Sequence, residues 1–216
     1  MPVLTEREKV HFISGDTECA AWHYPATNGA CVIMTGGFAV TKEPGTDLFA
    51  KRFTDAGFAV LAFDYRRLGE SGGQPRQVVR IRALLSTPDA LNGGKALDWG
   101  NRYPDWQQAA AARSALRLGF YRPGRYASRV RCPLLVVVCD QDQTALAGPA
   151  AAAADHAPRG ELVRLPGGHY QPFLDGHERA VEAELSFLRQ HLLDHPRAER
   201  PAPAPAVSAP QRGGRA

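Results

Sequence analysis

The chain opens in alternation. Lys9–Ser14 and Thr17–Tyr24 set apolar and polar residues in turn on either side of Gly15-Asp16, which predicts a β-hairpin. Continuous apolar runs follow. Ala30-Cys-Val-Ile-Met-Thr35, ending in Gly36-Gly37, reads as a central parallel strand buried on both faces. From Thr46 to Ala56 the apolar residues Leu48, Phe49, Phe53 and Ala56 fall at helical spacing, and Gly57 stops the helix. Phe58–Phe63 is the next buried strand. Strand, helix and strand in succession imply a right-handed parallel βαβ unit.

The middle of the chain has a different texture. From Arg66 to Pro133 no run resembles a buried strand. Val78–Leu85 comes nearest, but Arg80 and Arg82 argue against burial on both faces. Asp105 to about Leu118 predicts a helix with Asp105 as its N-cap, broken by Tyr121-Arg-Pro-Gly124. Regular patterning returns with a strand at Leu134–Cys139, an Ala-rich helix from about Ala145 to Asp155, and a strand at Glu161–Leu165. A final amphipathic helix runs from His177 to about Leu193, with Val181, Leu185, Phe187 and Leu188 facing inward. Residues 1–195 read as a single domain. Residues 196–216, with Pro201-Ala-Pro-Ala-Pro205 and Gly213-Gly214, read as a disordered tail.

Composition changes this picture little. At 216 residues, 44% hydrophobic and 22% charged, the chain suits one ordinary globular core. The net charge of +4 sits mostly in the tail, where Arg197, Arg200, Arg212 and Arg215 face only Glu199. No basic face for nucleic acid is therefore implied. No apolar run approaches the ~18 residues of a membrane span, and no leader-like segment opens the chain, so the expectation is a cytoplasmic protein without a membrane partner. Cys19, Cys31, Cys132 and Cys139 form no close pair and lie in or beside apolar runs, which predicts buried reduced thiols rather than a disulfide or metal site. No cofactor is implied.

Four short motifs stand at the ends of predicted strands. They are Thr35-Gly-Gly-Phe38, Phe63-Asp-Tyr-Arg-Arg-Leu-Gly-Glu-Ser-Gly-Gly73, Cys139-Asp-Gln-Asp142 and Pro166-Gly-Gly-His169. Open α/β sheets place ligands at such carboxyl ends. In this order the motifs resemble the α/β-hydrolase family of serine hydrolases, over roughly residues 5–78 and 82–193. The resemblance implies an α/β fold: an incomplete hydrolase sheet, mostly parallel, with an N-terminal β-hairpin and flanking helices. It implies cleavage of a carboxylic ester or amide by an attacking serine, a histidine base and an orienting acid. His169 matches the base and Asp142 the acid, with Asp140 as its competitor. Backbone N–H groups of Gly37 and Phe38 match the oxyanion hole.

The serine is the missing part. The family sets it on a G-x-S-x-G elbow between a strand and a helix, ahead of the acid and the histidine. Gly69-Glu-Ser71-Gly-Gly73 fits the letters but not the context, because Ser71 follows a Gly/Arg-rich loop and no helix follows it. Ser86 precedes Thr-Pro-Asp, Ser114 is mid-helix and Ser128 lies in a basic loop. The simplest account is an internal deletion near residues 78–82 that removes two strands and the elbow. The sheet would then expose unpaired inner edges at Ala30–Thr35 and Leu134–Cys139, open to self-association, or the two strands would pair directly. Three functions stay in play: a hydrolase descendant without catalysis, an active serine hydrolase using Ser71, and a binding or scaffold protein.

Overall fold

The computed structural model describes residues 6–37, 40–74, 97–98, 102–103 and 121–194. Phe38, the junction at 78–82, Ser86, the helix expected from Asp105 to Leu118 with Ser114, and the tail at 196–216 lie outside the described residues.

The hairpin forms as its alternation requires. β1 (Glu8–Ser14) and β2 (Thr17–Tyr24) pair antiparallel with Ser14 opposite Thr17. β3 (Cys31–Thr35), α1 (Thr46–Asp55) and β4 (Ala59–Phe63) make the expected βαβ unit, with β3 and β4 parallel. β2 pairs antiparallel with β4, so the first sheet runs β1-β2-β4-β3. A short 3-10 helix over Pro123–Arg129 precedes β5 (Leu134–Cys139). α2 (Ala147–His156) and β6 (Gly160–Leu165) follow, and β5 and β6 pair parallel as a second sheet. α3 (His177–Leu188) closes the described chain and loosens into one wider turn over Arg189–Leu193.

One core joins the two sheets. α1 and α3 turn Phe49, Phe53, Val181 and Leu185 onto Val60 and Ala62 of the first sheet and onto Cys139 and Leu165 of the second. α2 packs against β5 and β6. No helix of the described residues is long and apolar enough to cross a membrane.

Two expectations need correction. β3 is not buried on both faces: Cys31, Ile33 and Thr35 are exposed, Ile33 at 69%. A parallel strand is covered on both sides only when helices lie on both. Among the described residues only the Val32 and Met34 face of β3 meets the common core. For the same reason the thiols divide. Cys19 and Cys139 are buried, whereas Cys31 and Cys132 are exposed, and all four are free.

The structure also chooses between the two outcomes left open for the sheet. Among the described residues β3 pairs with β4 alone and β5 with β6 alone. The inner edges face each other across a gap and do not close it.

Candidate functional site

That gap is a cleft of about 1200 Å³. Val32 and Met34 of β3 wall one side, and Leu134, Leu135 and Val137 of β5 wall the other. Gly36, Gly37, Thr144, Ala145 and His169, from the loops after β3, β5 and β6, also line it. The cleft thus has an apolar body and a polar mouth at the carboxyl ends of the strands.

Asp142 follows β5 in a turn that its own side chain builds. Oδ1 accepts the N–H groups of Thr144 at 2.8 Å and Ala145 at 2.7 Å. That leaves Oδ2 for the imidazole of His169, whose Nδ1 stands 2.9 Å away. With Nδ1 protonated, the ring donates to the carboxylate and turns Nε2 away from it. The Asp142 side chain is 9% exposed and that of His169 30%. So the pair is partly shielded, and the ring still meets solvent. Asp140 behaves differently. It lies on the surface and is held by Arg164, with Nε at 2.8 Å. Of the two aspartates, the one in contact with His169 is Asp142.

The loop that carries His169 needs its glycine. Gly167 has φ +103°, and a Cβ there would come 2.7 Å from the Gln171 side chain. Its carbonyl accepts the N–H of Gln141, tying the two site loops together at 3.0 Å. Tyr170, 5% exposed, packs edge-on against the His169 ring at 4.9 Å between centroids. The loop after β3 is equally constrained. A Cβ on Gly36 would lie 2.5 Å from the Val40 carbonyl oxygen, so only glycine fits the turn. A Cβ on Gly37 would touch no described residue within 4 Å, its carbonyl accepts the Val40 N–H at 3.2 Å, and Gly37 lines the cleft.

Ser71 lies elsewhere. It is 1% exposed, donates to the Asp64 carbonyl at 2.7 Å and accepts the Ala20 N–H at 2.9 Å. Its hydroxyl fastens the loop after β4 to β2, and Ser71 is not among the residues that line the cleft. Beside it, Lys42 and Asp64 make a buried ion pair at 3.2 Å, with Glu70 and Glu43 adding to the charge on Lys42. Burial pulls the Lys42 pKa down, but these carboxylates overcome it and the net shift is upward. This network ties Lys42, in the loop between β3 and α1, to the loop after β4.

Among the described residues that line the cleft there is no serine and no cysteine. Ser128 is exposed within the 3-10 helix. No three His, Cys, Asp or Glu side chains of the described residues converge as a metal site would need. Sequence reasoning missed one polar group here, Glu184. It lines the cleft from α3, and burial pushes its pKa up to about 7. The signal was present: Glu184 lies three residues after Val181 and four before Leu188, on the inward stripe.

No family model matches the chain. Among curated proteins it is 24% identical to the quorum-quenching protein AidA of Acinetobacter baumannii over 288 residues, covering 84% of this chain and 94% of that one. Since 84% of 216 residues is about 181, about 107 of those 288 aligned positions have no counterpart here. Among solved structures, DcsB in complex with its substrate analogue superposes with a TM-score of 0.68 at 18% identity, covering 86% of this chain and 99% of that one. The alpha/beta hydrolase GrgF from Penicillium sp. sh18 gives 0.60 at 16%, again over 86% of this chain and 99% of that one. This chain thus spans nearly the whole of each neighbour with fewer residues than the aligned length of AidA. The chain has the α/β-hydrolase fold.

Proposed function

We propose that this chain keeps the acid–base half of a carbonyl-cleaving site without its nucleophile, and that it binds an apolar small molecule in the cleft rather than turning over esters through an acyl-enzyme. The observation that carries this reading is the His169–Asp142 hydrogen bond at the mouth of a cleft whose described lining has no serine or cysteine. In a serine hydrolase the imidazole must reach a hydroxyl held at the strand tip. Ser71 is held by Asp64 and Ala20 instead. The family-level support is that of fold: neighbours such as GrgF are hydrolases by name.

A fluorophosphonate probe tests the proposal on the whole chain, including serines outside the described residues. The expected result is no stoichiometric label, with p-nitrophenyl acetate turnover unchanged in Ser71→Ala. That variant should instead lose about 1–2 kcal/mol of stability, because the buried Ala20 N–H loses its acceptor. One serine labelled to completion would overturn the reading.

The open edges support self-association as a second property. Neither Cys31–Thr35 nor Leu134–Cys139 contains a charge or a proline, the usual guards of an unpaired strand. Ile33→Lys is expected to raise the monomer fraction in size-exclusion chromatography. An unchanged elution profile would argue that β3 takes no part in association.

A further inference from the structure

The cleft carries a charge that nothing within the described protein answers. The inward stripe of α3 is Val181, Leu185 and Leu188, and Glu184 falls on it. Glu184 lines the cleft with Phe187, and no described residue gives its carboxyl a hydrogen bond or ion pair. Among the described lining residues there is no lysine or arginine, and the single base, His169, is already engaged with Asp142. Glu184 stands seven residues beyond the start of α3, about 10 Å along the helix axis. α3 begins beside the site loops, where His177 packs on Phe49 at 4.8 Å. Glu184 therefore stands about two turns along α3 from that end, among lining residues that are mostly apolar.

A half-buried carboxylate beside apolar walls is costly unless a donor, a cation or water meets it. Burial alone raises the Glu184 pKa to about 7, as expected for a group without such a partner. Among the described lining residues the walls supply apolar contact, so a counter-charge for Glu184 would come with the occupant.

We propose that the cleft binds an elongated apolar molecule bearing a cationic amine, with the amine against Glu184 and the apolar body between the edges of β3 and β5. This rests on the reading of the cleft as a ligand site, but not on whether the chain hydrolyses anything. It assigns Glu184 as the residue that selects the ligand class.

The test is competition with Nile red, a neutral dye, on the full chain at pH 8, using n-octylamine, n-octanol and n-octanoate. In the unaltered protein octylamine should compete about tenfold better than octanol, with octanoate weakest, as expected for a buried opposite charge. In Glu184→Gln, which is isosteric and removes a buried charge, the amine and the alcohol should fall within about twofold of each other. Equal competition by all three in the unaltered protein would overturn the amine selectivity while leaving the cleft as a ligand site. An amine preference that survives in Glu184→Gln would also overturn it, because the amine would then be bound elsewhere. Absence of dye binding and of competition would overturn both this proposal and the reading of the cleft.

Discussion

Replacing Asp64 with alanine is expected to cost about 4 kcal/mol, near the upper end of what a single substitution does. The carboxylate is fully buried and its oxygens are taken. Oδ1 accepts the Lys42 N–H at 2.7 Å, while Oδ2 accepts the Glu70 N–H at 2.9 Å and faces Lys42 Nζ at 3.2 Å. Removing it strips two backbone donors of their acceptor and leaves an ammonium, 1% exposed, short of a partner. A domain of this size has about 5–15 kcal/mol in total, so the variant should lose a large share of its stability. Equilibrium urea unfolding measures the loss. The fitting control is Asp140→Ala, which breaks a surface pair with Arg164 and should cost under about 1 kcal/mol. Similar midpoints for the two variants would mean that the buried network contributes no more than a surface contact.

Glu184→Gln should stabilise the protein at pH 8 by about 2 kcal/mol and do almost nothing at pH 4.5. The sign follows from the direction of the shift. Burial raises the folded pKa to about 7, above the ordinary value of 4.5, so the folded state holds this proton more tightly than the unfolded chain does. The stability this gives is complete below pH 4.5 and is lost as pH rises through 7. Glu70 acts in the opposite sense. Hydrogen bonds from Lys42 and Lys9 lower its pKa to about 2, so its contribution is present above 4.5 and lost as pH falls toward 2. The contributions of these two groups are both complete near pH 4.5–5, and that of Glu184 declines toward 8, a decline that Glu184→Gln removes. Urea midpoints at half-unit steps from pH 4.5 to 8 would show it. Parallel profiles for the two proteins would place the Glu184 carboxyl in water.

These two residues also show where sequence stops informing structure. The strands and α-helices of the described chain were legible because their period is local: alternation in β1 and β2, short apolar runs in β3 to β6, and the spacing of Phe49 and Phe53 in α1; the 3-10 helix at Pro123–Arg129, read as a break and a loop, was not. Those signals need no neighbour. Boundaries moved by a residue or two, as at α2, which begins at Ala147 rather than Ala145. The exposure of Ile33 and Cys31 was not legible. Apolar content states what a strand can tolerate on its faces, while the cover is supplied by other segments.

The candidate site divides along the same line. The sequence by itself determined the strand-and-loop order, a histidine after the last strand and an aspartate after the one before it, and it offered only Gly69-Glu-Ser71-Gly-Gly73 with the letters of an elbow. Only the tertiary structure decided that Asp142 and not Asp140 meets His169, because two carboxylates so close in sequence differ by the directions their side chains take. It also decided that Ser71 is spent on holding a loop to β2, and that β3 and β5 stay apart and leave Glu184 facing an apolar gap. Each of these depends on contacts between residues far apart along the chain, which local periodicity does not encode.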